Sequence, residues 1–367
     1  MEPAITISAP PAPGVLAELL RGAFAPSALA CSIMLACCAG LLAFPALLIT
    51  PQLMREHGAE LFPTSSRDYD AFASIRALEL AAHAGHEPIL VITGGSTVRD
   101  GLRAQFIEEA LRGAGQPVSA TYKLTTSRQS LVDTAALLDM IPERTRGVAI
   151  IGIQPGVFVI SAAGLRDAAG RGRYAFASEV YDRELRRFGV EPPRRFGIYA
   201  YDNLRFLLAR KAAVWENLSR GHGPRYSETH NRDRAVETPQ RWQWHGRELG
   251  KRFAHYDENL IAVRGVLERL VRRLKRHGGM QIVLLEPPVN PRFLDEFGHR
   301  ALYERHRQWV AAFAHEYGLA YLNLNEAVTF DPGEFFDWAH LNDETAVRRA
   351  ATAVAAVVAP VLAELAE

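Results

Sequence analysis

The chain has 367 residues, 48% of them hydrophobic, enough for one large domain with appendages or for two modest domains. Its 42 Lys and Arg against 41 Asp and Glu exclude a global field that would favour nucleic acid or an acidic polymer, so any anion site must be local. Cys31, Cys37 and Cys38 are the only cysteines, which leaves everything beyond residue 40 without a disulfide or a cysteine metal site, and the histidines lack the paired spacing of a zinc helix.

In chain order, the first feature is a stretch from Arg21 to Arg55 with no charged residue between them. Its core, Ala28 to Ile49, would span roughly 30 Å as a helix, the thickness of a hydrocarbon layer. A cleaved signal peptide and a buried core helix are the competing readings. The apolar run is longer than a signal peptide's hydrophobic region of about 7–15 residues, and no small-residue cleavage site ends it, which favours an uncleaved anchor. Residues 1–27, with the Pro-rich "APPAPG", then read as a cytoplasmic tail, residues 28–49 as a transmembrane anchor, and residues 50–367 as the folded body. Arg21 and Arg55 nearly balance across the span and give little signal of orientation.

The body alternates strand-like and helix-like segments. "SSRDYDAFASIRALELAAHAG" spaces Phe72, Ile75, Leu78 and Leu80 as a helix capped near Ser66 or Asp68. "EPILVITGG" is an unalternating apolar run, the pattern of a strand buried on both faces. Leu102, Phe106, Ile107, Ala110 and Leu111 then repeat at the spacing of one helix face. "VSATYKLT" and "RGVAIIGIQ" read as strands around the helix "RQSLVDTAALLDMI". "MQIVLLEPP" and "LAYLNLN" are two more strands, separated by a helix from about Leu302 to Tyr317 and followed by a long helix from about Asp343. The alternation implies an α/β domain of three layers, with a central parallel five-stranded sheet and helices on both faces.

Residues 158–279 interrupt the rhythm. Two helical pieces, "YDNLRFLLARKAAVWENL" and "DENLIAVRGVLERLVRRLKRH", flank a polar tract from Ser219 to His245. The pattern suggests a helical insertion capping the active face, with the tract as a mobile loop.

Two short stretches carry the chemistry. "VITGGSTVRDGL" places Ser96 between a strand and a helix, where it is either a nucleophile or a capping serine. "FFDWAHLND" holds Asp337 and His340 just before the final helix. Loops at the carboxyl ends of parallel strands share one edge of the sheet, so the three side chains can meet. A serine hydroxyl needs a base to take its proton, and a histidine serves best when a carboxylate fixes its tautomer, so Ser96, His340 and Asp337 suit a nucleophile, base and orienting acid. This chemistry requires no metal and no organic cofactor.

A serine after the first core strand and Asp-x-x-His after the fifth, on this architecture, resembles the SGNH (GDSL-type) hydrolase superfamily from about Pro88 onward, the insertion apart. With its N-terminal apolar segment, "GGSTVRDG", "LLEPPVNP" and "DWAHLN", the chain is most similar to the membrane-anchored branch that includes the D-alanylation protein of lipoteichoic acid synthesis and the alginate O-acetylation proteins. It departs from the superfamily pattern in three places. Gly94-Gly95-Ser96 stands where Gly-Asp-Ser is usual, the second block's glycine has no equivalent in "LTTSRQSL", and Gly152-Ile153-Gln154-Pro155 replaces Gly-x-Asn-Asp. The resemblance implies an oxyanion site in which a backbone N–H of Ser127 or Arg128 and the amide of Gln154 join the N–H of Ser96.

Other polar residues have two readings each. Arg99 either holds a substrate carboxylate or phosphate or is an arginine of the surface or of the layer behind the site, and Asn290 lines the pocket or caps the turn after the fourth strand. Trp242 and Trp244 stack on a sugar or dock onto the domain. The basic run "RLVRRLKRH" fits a solvated helix face. The expected function is a membrane-anchored serine esterase or O-acyltransferase with its catalytic domain outside the cytoplasm, in the periplasm or at the exterior. The resemblance implies a cell-envelope glycan or other ester-bearing polymer as substrate and a multi-span membrane acyltransferase as partner. Its rivals are a plain anchored esterase or lipase and a non-catalytic assembly protein that keeps the fold.

Overall fold

The computed structural model describes residues 14, 27–159, 161–228, 236–276 and 279–366. The tail expected over residues 1–27 lies almost wholly outside the described residues. The chain divides into two units, residues 1–49 and residues 50–367.

In the first unit a helix runs from Ala28 to Leu48, its start capped by Ser27, whose side chain accepts the N–H of Ala30 at 3.2 Å. Pro45 lies in its final turn. Two helices among the described residues are long and apolar enough to cross a membrane, this one and Glu344–Leu365.

The second unit is built on five parallel strands, β1 (Ile89–Gly94), β2 (Ala120–Thr125), β3 (Gly147–Gly152), β4 (Met280–Glu286) and β5 (Ala320–Asn323), in the spatial order β2-β1-β3-β4-β5. β1 and β3 are buried along their whole length, which is why their sequences do not alternate. Neighbouring residues still face opposite ways. Leu90, Ile92, Val148, Ile150, Val283 and Leu285 join a core with the helices Ala104–Gly113 and Glu344–Ala366. Ile89, Val91, Ala149, Ile151, Ile282 and Leu284 join another with the helices Tyr69–Ala81, Leu131–Leu138, Tyr256–Arg276 and Arg300–Tyr317. The helix Glu344–Ala366 lays Val347, Ala350, Val354 and Val358 on the sheet at spacings of three and four, so its apolar character serves this core.

The Tyr69–Ala81 helix starts at Asp68, whose carboxylate accepts the N–H of Ala71. The single helix expected after Ser96 is instead two, Ser96–Gly101 and Ala104–Gly113. Leu102 and Arg103 between them are extended, and the buried ammonium of Lys123 donates to the carbonyls of Arg99 and Leu102 at the break. A cation at the end of the first helix thus takes carbonyls that the next turn would otherwise have bonded.

The insertion is more helical than its sequence suggested. Helices occupy Ala162–Gly170, Glu179–Arg187, Leu204–Arg220 and Pro239–Phe253 in addition to Tyr256–Arg276. The last of these buries Val263, Leu267, Leu270 and Leu274 beneath the sheet, so it is a layer of the core and not a cap. The tract expected as a loop is helical from Pro239, because Trp242, Gly246, Leu249 and Phe253 form one inward stripe; residues 229–235 lie outside the described residues.

Candidate active site

In this strand order the chain leaves β1 and β3 side by side and continues in opposite directions, which opens a crevice at their carboxyl ends. Gly94 and Gly95 carry the chain out of β1 into Ser96. Gly94 has φ +149°, and a side chain there or at Gly152 would collide with Val98, so small residues at both strand tips let the Ser96 helix start close to the sheet.

Ser96 is the first residue of its helix and Gly95 is the cap, so the serine hydroxyl is not the capping group. It is hydrogen-bonded to His340 Nε2 at 2.8 Å. On the other side of the ring, His340 Nδ1 lies 2.8 Å from each oxygen of Asp337. Asp337 Oδ1 also accepts the backbone N–H groups of Ala339 and His340, both at 3.0 Å, so the Asp-x-x-His spacing is itself a folded turn. An antiparallel bridge between Phe335 and Leu341 closes this loop, and the Phe336 ring stacks on the imidazole with centroids 5.3 Å apart.

Burial works against both charged forms, but the contact between them wins. Asp337 is held below its ordinary carboxylate value by the imidazole and by the two N–H groups. Burial would lower His340, yet Asp337 and then Asp100 raise it above the ordinary histidine value. With Nδ1–H donated to the carboxylate, Nε2 is the atom left to accept the Ser96 proton.

Asp100 was missed by the sequence reasoning. Its Oδ2 lies 3.8 Å from His340 Nε2, on the reacting side of the ring. Arg99 holds it there with paired hydrogen bonds of 2.7 and 2.9 Å. Arg99 also donates to Ser127 Oγ at 3.0 Å and lies 3.8 Å above the Tyr69 ring. Arg99 is buried and each of its guanidinium nitrogens is hydrogen-bonded, a placement that fits its reading as a support behind the site.

The donors around Gly95 come from two other loops. Gln154, just after β3, accepts the Thr97 hydroxyl on Oε1 at 3.1 Å, and this bond directs its amide nitrogen away from Thr97. A Cβ on Gly95 would stand 3.9 Å from both Gln154 Nε2 and the backbone nitrogen of Gln129. An oxyanion beside Gly95 is thus within reach of a side-chain amide, the N–H of Gln129 and the N–H of Ser96. Ser127 and Arg128, expected to supply the backbone donor, stand two residues and one residue before Gln129 in this loop. Arg128 adopts φ +54°, a left-handed turn that redirects the chain into Gln129, and the Ser127 and Arg128 side chains are exposed.

That loop is pinned from both sides. Gln129 accepts the N–H of Thr126 at 2.9 Å and donates to Thr134 at 3.0 Å. Arg173, from the insertion, donates to Thr126 Oγ1, to the Ser127 carbonyl and to Asp133, and pairs with Asp70 at 3.0 Å. Nothing in the sequence near Arg173 marks this role, since its partners are 40 or more residues away.

Asn290 caps the turn after β4 by accepting the N–H of Arg292 at 3.0 Å. Its amide reaches the carbonyls of Pro332 and Asp337, and its own N–H donates to Trp338 O. It braces the histidine loop. Trp242 packs against Phe293 and Phe297 rather than standing in a loop, while Trp244 is half exposed. Among the described residues no group of three or more His, Cys, Asp or Glu side chains is arranged to hold a metal ion. No protein-family model matches the chain, and no curated protein matches it either.

Proposed function

We propose that the chain is a membrane-anchored serine esterase or O-acyltransferase of SGNH type. Ser96 attacks the acyl carbonyl as His340 Nε2 takes the hydroxyl proton, and Asp337 stabilises the imidazolium. The carbonyl oxygen, now an anion beside Gly95, faces the N–H groups of Ser96 and Gln129 and the amide of Gln154. Collapse breaks the ester bond, and His340 returns the proton to the departing alcohol. In the second half His340 takes a proton from the incoming hydroxyl, whose oxygen displaces Ser96 from the acyl group. Water as the incoming group gives hydrolysis; a sugar hydroxyl gives transfer.

The observation that carries this reading is the continuous chain from Ser96 Oγ through His340 to Asp337, with 2.8 Å at each link. The resemblance to the anchored SGNH branch and the apolar helix Ala28–Leu48 support an envelope glycan or polymer as substrate. They also support a multi-span acyltransferase as partner, a single membrane pass and a catalytic body outside the cytoplasm. A serine-directed phosphonate is expected to label the protein at Ser96 and to leave Ser96→Ala unlabelled. Absence of labelling and of ester turnover in the folded protein refutes the reading. A C-terminal reporter active only after export is expected to be active, and an inactive one refutes the placement.

A further inference from the structure

We propose that the helix Leu204–Arg220 lies in the headgroup layer of the membrane that holds the anchor, with an apolar stripe turned to the phospholipid. This rests on the anchored reading above and deepens it by giving the folded body its own contact with the bilayer.

Leu204, Leu208, Lys211, Trp215 and Leu218 recur at steps of four, three, four and three, which gathers them in one arc of the helix. All five are exposed, Trp215 at 76%. Among the described residues beyond the anchor, nine large hydrophobic side chains are exposed, and six of them lie between Phe196 and Leu218. The outer apolar surface of the body is thus collected here and not scattered, the mark of an interaction surface. Phe196 and Leu204 line one cavity, so the patch continues past the start of the helix.

The opposite face fixes the helix to the body. The Phe206 ring meets that of Phe62 with centroids 6.1 Å apart, and Arg210 holds Asp68 with bonds of 2.8 and 3.0 Å. Asn217 donates to the carbonyls of Leu61 and Pro63 at 2.9 and 3.1 Å. With Phe206, Arg210 and Asn217 buried there, the helix cannot roll its stripe inward.

Two observations select phospholipid as the occupant. The first is position along the chain. Only Ile49 and Thr50 separate the anchor helix Ala28–Leu48 from the helix Pro51–Leu61, whose last residue supplies one of the carbonyls that hold Asn217. Its 11 residues span about 16 Å, so Asn217 is tethered one short helix from the point where the chain leaves a bilayer. The second observation is the make-up of the stripe. Tryptophan is enriched at membrane–water boundaries, because its ring is apolar and its N–H is polar. Lys211 can lay its four-carbon stem on acyl chains while its ammonium reaches a phosphate. Arg205 and Arg220 are exposed beside the stripe, and Glu216 pairs with Arg220 at 2.5 Å, so the cations on this face outnumber its carboxylate. Lys211 also weighs against a second copy. It is the middle residue of the stripe, so two copies related by a two-fold axis there would press Lys211 against Lys211.

The test uses the full chain in vesicles of phosphatidylcholine and phosphatidylglycerol, with or without bromine on the acyl chains, which quenches tryptophans in contact with them. The fluorescence lost between wild type and Trp215→Phe isolates Trp215. Brominated lipid is expected to quench that contribution by at least about half. Leu208→Glu combined with Leu218→Glu, at an unaltered melting temperature, is expected to reduce the quenching at least about two-fold. An unquenched Trp215 overturns the proposal, whether water, another segment of the chain or a second copy covers the stripe, and so does quenching that the two glutamates leave unchanged. Cys37 and Cys38 lie in the anchor helix and report on it separately, through their protection from a water-soluble maleimide. Protected cysteines with an unquenched Trp215 defeat the proposal and keep the anchor. Labelled cysteines with a quenched Trp215 defeat the anchor and keep the helix at the membrane surface.

Discussion

Two histidines of this molecule, one half-buried and one wholly buried, end in opposite states. His340 touches an ionised carboxylate at 2.8 Å and is raised above its ordinary value. His306 is wholly buried, with its ring edge-on to Phe158 at 4.8 Å and its Nδ1 2.9 Å from the Tyr256 hydroxyl. Its nearest carboxyl, on Glu286, is 4.0 Å from Nε2, and burial drives its pKa down to about 3. The carboxyls differ as much as the rings. Asp337 receives two backbone N–H groups in addition to the imidazole and stays ionised. Glu286, at the end of β4, receives the Tyr321 hydroxyl at 2.9 Å, and burial pushes it up to about 7 despite that bond. A buried histidine becomes a base only when its partner carboxylate is solvated by the protein strongly enough to remain charged.

The comparison breaks most visibly at Asp337. Asp337→Asn keeps the shape but stabilises the wrong tautomer, and turnover of a chromogenic ester is expected to fall about 10⁴-fold in steady-state assays. A fall of less than about ten-fold would show that the carboxylate does not orient His340. Next in size, Gln154→Ala removes one donor facing Gly95. It is expected to lower kcat by about 10²–10³-fold with little change in KM, and an equal loss in KM would place Gln154 in ground-state binding instead.

The structural pair gives the third test. Glu286 has a folded pKa of about 7 against an ordinary 4.5, so its stabilising contribution is complete below pH 4.5 and is lost as pH rises through 7. The loss is about 3 kcal/mol by pH 8. His306 acts oppositely, because its depressed pKa gives stability above pH 6.5 that is lost as pH falls toward 3. Glu286→Gln removes the first contribution, and urea unfolding at pH 5 and pH 8 is expected to show the variant gaining stability relative to wild type only at the higher pH. A difference independent of pH would mean that Glu286 is ionised in the fold. The smallest effect is at Asp100, whose charge adds to the rise of His340. Asp100→Asn is expected to move the acid limb of kcat/KM to lower pH, because the base is then free of its proton at lower pH. An acid limb that stays where it is would show that the Asp100 charge does not reach the imidazole.

Much of the frame was readable from the chain because burial on both faces leaves a mark that local sequence keeps. The runs around Leu90, Ile150 and Leu284 became strands within a residue or two of their expected ends, and Asp68 caps its helix as one of the two residues that local chemistry allowed. Ser96, Asp337 and His340 were recognisable because their chemistry requires particular side chains. The approach of the Gln129 N–H to Gly95 was not, since a backbone N–H carries no residue signature and depends on the left-handed turn at Arg128. Asp100 was hidden by adjacency to Arg99, an arrangement that only the break at Leu102 and the position of Lys123 explain. In the insertion, the stripe of Trp242, Gly246, Leu249 and Phe253 was masked by the polar residues between its members.

The helix Glu344–Ala366 has a consequence for the timing of synthesis. It covers one face of the sheet, yet it follows all five strands in the chain, and the two ends of the Ser96–His340 bond are 244 residues apart. Until that helix has emerged, Leu90, Ile92, Val148 and Ile150 lack its cover, and the emerging protein is adhesive. A chain that stalls or is cut before Glu344 is thus a client for chaperones or proteases, and Ser96 meets His340 only after every strand has been made.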